Sequence, residues 1–560
     1  MENPSNQGTS DAPGLPALAL VLTVACAVRL ALAAHITGPG IGDAYYYDDV
    51  AHACARGEGL TSRCLWNLVQ LPRSIPYPAC GYWGPGVPAL LAGAYALLGP
   101  SPMAGKALMM VLALALVALG LFIARRVTDQ RRLVVAAGLA LALHLQLCYF
   151  SVTLDTPVPF ALFVNLCLVP LALCHCGALP PATGLMLALP GALAAQLTRA
   201  DGLLMPIVLF GFAAVHLGRG TVSRRWFVLL VVIYLGAWSV WLHRNQVAFG
   251  TPFPSSIAES IAIRDYSELF KIHTRPSVET YLAQGAARIV SDKVDGLIEN
   301  VKTLLAVENI LLVLFVPFAV PRLLRSSFAR PFLVYFVLLA SSMSFCFNFQ
   351  SAHGSLLHSL PALFPFMFAA SMLGVDRLMS WLSRRPRGTP GRWLGRTLLG
   401  PAPWLIVLYT ALHGLGGLSP DGAVRRASLE TARLQAQLAS WRRSCSGCAP
   451  GSPFMSNDSL TLVGLLGACV VQEPRDPGLD AVFELAARYR IGHLVIFGND
   501  RLGVRPWDGE TYRHPTGVLR RVKELAIDCP TLGHRGVTIF HFEILASGGR
   551  PADPGGARPE

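Results

Sequence analysis

Long apolar runs alternate along the chain with short polar interruptions. Most runs are about 16–22 residues long, enough for a helix to cross roughly 30 Å of hydrocarbon. They predict spans near 15–34, 103–124, 133–150, 157–175, 183–198, 203–217, 226–243, 304–320, 331–349, 356–378 and 397–415. The stretch 84–99, GPGVPALLAGAYALLG, is also apolar, but it is short and rich in Gly and Pro and follows a polar loop. It is expected to lie along the interface, because a true span there would invert everything after it.

Beyond the last run the pattern changes. Val482, Leu485, Ala486 and Tyr489 recur at helical spacing, while HLVIFG and GVTIFHFEIL alternate as strands do. The expected fold class is a polytopic α-helical membrane protein of about 11 transmembrane helices with a small C-terminal α/β extracytoplasmic domain. Its parts are a disordered cytoplasmic segment 1–14, a transmembrane domain 15–415 with outer loops 35–102 and 244–303, and the α/β domain 416–560 with a disordered end.

The orientation follows from short basic loops, since Lys and Arg near span ends stay in the cytoplasm. RRVTDQRR (125–132), GRGTVSRR (218–225), PRLLRSSFAR (321–330) and SRRPRGTPGRWLGR (383–396) all fall on one side if the N-terminus is inside. Every long polar segment then lies outside. The N-terminal MENPSNQGTSDAPG lacks the basic start of a signal peptide, so the first run is expected to be a retained span.

Composition agrees with this pattern, with 53% hydrophobic residues, 14% charged and a mean hydropathy of +0.48. The formal net charge of +13 needs no nucleic acid, because Arg clusters beside anionic headgroups account for much of it. Many of the 13 cysteines sit inside apolar runs, where Cys behaves as a small hydrophobe. Cys445 and Cys448 of CSGC, with Cys529, are candidates for an extracytoplasmic disulfide; no second half-site follows at zinc spacing, so no metal ligands are assigned.

Chemistry has to come from polar residues that a membrane would otherwise reject. GIGDAYYYDDVAHACARGEGL (40–60) places Asp43, Tyr46, Tyr47 and Asp49 just past the first span. A carboxylate there can keep a raised pKa and serve as a base, or Asp43 can cap a helix. Asp155 in FSVTLDTPVPFALF stands at a span entrance, as an acid or as a turn residue before Pro157. In QLTRADGLLMP, Arg199 and Asp201 sit in a tight turn, either gripping a phosphate or pairing with each other. Arg244, in WLHRNQVAFGTPFPSS, and His353 and His358, in NFQSAHGSLLHSLPALFPF, reach the same side as ligand contacts or interfacial anchors.

The order of these motifs resembles the polytopic GT-C glycosyltransferases that use polyprenyl-phosphate sugars, and within them the bacterial relatives of protein O-mannosyltransferase and of the lipid A aminoarabinose transferase. The resemblance rests on DAYYYDDVAHACARGEGL, YWGPGVPALLAGAYALLGPSP, TLDTPVPFALF, LTRADGLLMP, HRNQVAFGTPFP and HGSLLHSLPALFPF, in that order, over roughly 15–378. The protein mannosyltransferases show Asp-Glu where this chain has Asp43-Ala44, and its next acids are Asp48 and Asp49. The resemblance implies an inverting hexosyl- or pentosyltransferase in a bacterial cytoplasmic membrane, with a polyprenyl-phosphate sugar as donor and a lipid, glycan or protein as acceptor. It implies Asp43, or else Asp49, as catalytic carboxylate, with Asp155 as the second acid. Tyr46, Tyr47, Arg199, Asp201, Arg244, His353 and His358 would bind substrate. A divalent cation stays open, since members of this fold differ in using one. The other reading is a transporter or flippase of lipid-linked saccharides, which predicts internal repeats and mid-membrane charges that this chain lacks.

Overall fold

The computed structural model describes residues 15–551 apart from breaks at 41, 256, 308–309, 387, 419–422, 446–450, 499–506, 526–535 and 547–549. The segment 1–14, the end beyond 551 and the cysteines Cys448 and Cys529 lie outside the described residues. The protein is a mostly helical, multi-pass membrane protein. Five described helices are long and apolar enough to cross a bilayer alone: Leu15–Ala33, Pro102–Val127, Pro157–His175, Ala200–Gly218 and Arg224–Phe249.

The other expected spans are shorter, interrupted or, like Pro181–Thr198 and Phe364–Ser383, long enough but less apolar, so the described residues give five such helices, or six with one bent pair, where the sequence suggested about 11. The run 133–150 breaks at His144 into Arg131–Leu143 and Leu145–Phe150. Arg29, fully buried in the first span, donates from Nη1 to Ala142 O (3.0 Å) and so satisfies a carbonyl that the break orphans. The runs 331–349 and 356–378 are also not two plain spans. Arg330–Cys346 and Asn348–Ala362 meet at 100°, and Gly354 (φ 107°) supplies a backbone conformation within the second piece that a side chain would resist. The longest continuous helix of this region is Phe364–Ser383, of 20 residues. It lies so close to Ile310–Leu323 that a Cβ at Gly374 would overlap the Phe315 carbonyl.

On the polar side, the helix Gly86–Leu98 has 13 residues, too few to span, and it packs on Asp43–Ala55 through Val87, Leu91 and Tyr95. The loop expected over 244–303 starts late, because the helix Arg224–Phe249 continues past it. It ends in the amphipathic helix Ala286–Val307, whose Val290, Val294, Leu297 and Val301 are exposed, a pattern that suits a helix lying in the interface.

Ten strands are present among the described residues: β1 (Thr61–Ser62), β2 (Cys64–Leu65), β3 (Tyr77–Pro78), β4 (Phe454–Ser456), β5 (Val470–Gln472), β6 (His493–Phe497), β7 (Thr511–His514), β8 (Gly517–Leu525), β9 (Val537–Ala546) and β10 (Arg550–Pro551). β1 and β3 pair by themselves. The main sheet runs β2-β5-β4-β6-β9-β8-β7, parallel from β2 to β6 and antiparallel thereafter, with β10 on β9. The expected helix appears as Asp480–Tyr489, burying Val482, Leu485, Ala486 and Tyr489. One strand comes from elsewhere: β2 belongs to the first outer loop and forms the edge beside β5. Each face of the sheet is packed partly by outer-loop residues, Trp66 and Tyr45 on one and Leu65 and Leu68 on the other. The C-terminal region and the first outer loop therefore share their core.

Candidate active site

Asp43 opens the helix Asp43–Ala55, directly after Gly42 at φ 53°. Its carboxylate is thus in the first turn, where the helix dipole favours negative charge. Burial and the charge of Asp155 win over that effect, and over the opposing pull of Arg199, pushing the Asp43 carboxyl up to about 7. Asp155 immediately precedes the Thr156–Pro157 start of the next span, and its Oδ1 accepts from the Thr156 backbone N–H (2.6 Å). His358 reaches the same place from the segment that follows the Gly354 turn. One carboxylate oxygen each from Asp43 and Asp155 and a ring nitrogen of His358 all lie within 4.8 Å of one another.

Arg199 holds this cluster from behind. Its Nε donates to Asp201 Oδ1 (2.9 Å), Nη1 to Thr156 Oγ1 (3.1 Å), and Nη2 to Ser355 O (3.2 Å) and Ser359 Oγ (3.3 Å). Ser359 in turn donates to Asp201 Oδ2 (2.6 Å). The local Arg199–Asp201 pair is therefore real, and it also ties the neighbour of Asp155 to the neighbour of His358.

Tyr47 lies one helical turn after Asp43 and on the same face. It is buried, and burial together with the charges of Asp43 and Asp155 raises its phenol well above the ordinary range. The remaining candidates do not join the cluster. Tyr46 turns into the loop core, its hydroxyl accepting from the Cys80 N–H (2.9 Å) and its ring edge-on to Trp83. Asp49 accepts from Arg63 Nε (2.7 Å), the Arg63 N–H (2.8 Å) and Ser62 Oγ (3.1 Å). Arg244 donates to Ala79 O (2.8 Å) and Leu60 O (3.2 Å) and lies over the Trp241 and Phe249 rings, pinning the outer loop. His353 is exposed and stacked on Tyr266.

Asp48, beside the more obvious Asp49, lines the same cavity as Asp43 and accepts from the Tyr95 hydroxyl, with His52 at 3.5 Å. Sequence reasoning also passed over Thr156 and Ser359, whose roles lie in distant contacts, and the helix Ala423–Ser444, which Leu434, Leu438 and Trp441 mark at helical spacing.

The cavity measures about 820 Å³ and is walled by Asp43, Asp155, His358, Tyr45, Tyr149 and the helix Ala423–Ser444 among others. Two carboxylates and an imidazole at this spacing suit a divalent cation such as Mn²⁺ or Zn²⁺, leaving coordination positions for an oxygen ligand. Burial first and the Asp155 charge second hold the Asp43 carboxyl up, and a cation in this cluster would act against both and pull it down, as Arg199 does.

No family model and no curated protein matches the sequence. Solved structures do. The crystal structure of ArnT from Cupriavidus metallidurans bound to undecaprenyl phosphate aligns with a TM-score of 0.54 and 13% identity over 94% of this chain and 98% of that one. ArnT from the same organism in the apo state gives 0.51 and 13% over 93% and 97%. At that identity the likeness is one of fold alone, and this chain shares the fold of ArnT along nearly its whole length.

Proposed function

We propose that this chain is a glycosyltransferase that moves a sugar from a polyprenyl-phosphate donor to a lipid, glycan or protein acceptor at the outer face of a bacterial cytoplasmic membrane. The observation that carries this reading is the meeting of Asp43, Asp155 and His358 in one large cavity at the polar end of the apolar helices. ArnT, which shares the fold, is a protein crystallised with undecaprenyl phosphate, and that supports the lipid half of the donor.

In this reading the acceptor oxygen attacks C1 of the sugar as its proton passes to Asp43. The bond from C1 to the phosphate oxygen breaks on the opposite side, so the configuration inverts and polyprenyl phosphate leaves. A base whose pKa lies near 7 is well matched to that proton transfer. Asp155, oriented by Thr156, and His358 complete the cluster around the reacting atoms. Arg199 is a positioning residue, because its N–H groups are engaged by Asp201, Thr156, Ser355 and Ser359. A divalent cation bound by the three side chains would supply positive charge to the leaving phosphate. Tyr46, Asp49, Arg244 and His353 serve the architecture of the outer loop instead.

The test is release of polyprenyl phosphate from radiolabelled polyprenyl-phosphate sugars in membranes containing the full-length chain. Asp43→Asn is expected to lower the rate by about 10²–10⁴-fold, the usual worth of a general base. Wild-type rates in Asp43→Asn would remove the carboxylate from the mechanism, and translocation of the lipid-linked sugar without transfer would replace the enzyme by a flippase.

A further inference from the structure

The helix Ala423–Ser444 connects the last apolar helix to the C-terminal sheet, and its two faces have different surroundings. Leu434, Leu438 and Trp441 are buried in the core shared with the outer loop. Ala427, Ser428, Thr431, Ala432 and Gln435 recur on another face and line the cavity that holds Asp43, Asp155 and His358. Thr37, from the loop after the first span, donates its backbone N–H to Ser428 Oγ (3.2 Å) and so fixes the helix over the cavity.

This face is made of small, hydroxyl and amide side chains. Thr431 Oγ1 donates to Ala427 O (2.8 Å), which leaves its oxygen free to accept. Elsewhere in the cavity lining, Thr153 is 2% exposed, and its hydroxyl has no hydrogen-bond partner among the described residues. The Gln146 amide nitrogen must face Leu357 O (2.7 Å), which can only accept, so its carbonyl oxygen is left without a partner among the described residues. Buried polar groups of this kind ask for a polar ligand. The described lining includes Asp43, Asp48 and Asp155 but neither Lys nor Arg. A cation shared by the triad can serve the donor phosphate, but the rest of the lining offers no charge to a second anion.

We propose that Ala423–Ser444 is the wall that selects the transferred sugar, through Thr431, Ala432 and Gln435, and that the sugar it admits bears hydroxyls and no anionic group. The assignment rests on the glycosyl-transfer reading above. The cavity volume of about 820 Å³ lies in the range of pockets that take a small ligand, so one side chain can change what fits.

The test uses the full-length protein in membranes with three probes: polyprenyl phosphate carrying a hexose, a pentose or a hexuronic acid. Ala432→Leu adds bulk at an exposed helical position where Leu is a good helix former, so the fold is not at risk. It is expected to move the hexose-to-pentose rate ratio at least threefold toward pentose. Thr431→Val and Gln435→Ala are expected to lower affinity for the sugar-bearing donor at least threefold while leaving bare polyprenyl phosphate binding unchanged. The hexuronic donor is expected to be turned over at least tenfold more slowly than the hexose. An unmoved hexose-to-pentose ratio in Ala432→Leu together with unmoved donor affinity in Thr431→Val and Gln435→Ala, or equal use of the hexuronic donor, would overturn the wall while the transfer reading stands. A wild-type chain that neither binds nor turns over any probe overturns the transfer reading, and the wall with it.

Discussion

Because Asp43 is held near pKa 7 by burial and by Asp155, its ionised fraction changes steeply across physiological pH. A base must be deprotonated to act, so without a bound cation the transfer rate is expected to rise through about pH 7 and level off above it, and a cation on the cluster should move that rise to lower pH. Asp155→Asn removes a charge that raises this pKa, and the rising limb should move to lower pH; a profile that stays in place in that variant argues against the coupling. The cluster also makes a prediction about ions: Mn²⁺ binding measured calorimetrically on the purified protein is expected to weaken at least about tenfold in His358→Ala. Arg199→Lys keeps the charge but loses the planar fork that holds Asp201 and Thr156 together. It should lower the transfer rate by about tenfold or more while donor binding stays close to wild type, since a displaced Asp155 costs rate more than affinity. Much of this was visible in the residue string, because Asp43, Asp155, Arg199 and His358 are polar groups set at span ends. What it did not distinguish was Asp48 from Asp49. Neighbours on a helix point about 100° apart, and only the packing of Tyr95 and Arg63 decides which acid faces the cavity.

Among the elements, hydropathy marks where the apolar runs lie but not their shape. A run records that a segment is apolar, whereas a break depends on local backbone and on partners that can satisfy freed carbonyls. His144 carries no strong breaking signal in its apolar context, and Gly354 permits a turn without fixing its angle, yet the first break lets Gln146 and Tyr149 line the cavity and the second bend brings His358 in. The docking of elements depends just as much on single small residues. Ser459–Leu466, capped by Asp458 accepting from the Thr461 N–H (3.1 Å), approaches Asp43–Ala55 so closely that a Cβ at Gly464 would overlap the Tyr45 ring. Gly464→Val is therefore expected to destabilise the protein by roughly 1–3 kcal/mol, the usual penalty of overpacking. It should also lower transfer, because the displaced helix carries Asp43. Thermal unfolding in detergent reads the first effect, and a wild-type melting temperature would mean that Tyr45 moves aside freely.

At the scale of the molecule, the sequence invites a division into a membrane part and a detachable soluble end, since the apolar runs stop near 415. The sheet does not respect that division. Its edge strand β2 comes from the first outer loop, Arg63 joins the loop's Asp49 to Gly467 O (2.7 Å), and Tyr489 donates to Pro72 O (2.7 Å). Pairing between residues some 400 positions apart leaves no periodic trace, so a pattern that reveals each strand stays silent about its neighbour. The functional consequence is that the first outer loop carries Asp43 on one of its elements and a strand of the C-terminal sheet on another. A fragment beginning at residue 423 should therefore lack both an edge strand and some of the side chains that cover each face of its sheet. It is expected to be aggregated or unfolded by circular dichroism and hydrogen exchange, and the complementary fragment ending at 418 should bind neither donor nor ion. Co-expression of the two is expected to restore transfer in part, because the shared core can reassemble from either side of the missing link. A tail fragment that folded cooperatively alone would show that the loop strand is an ornament, and the coupling between sheet and acid cluster would fall with it.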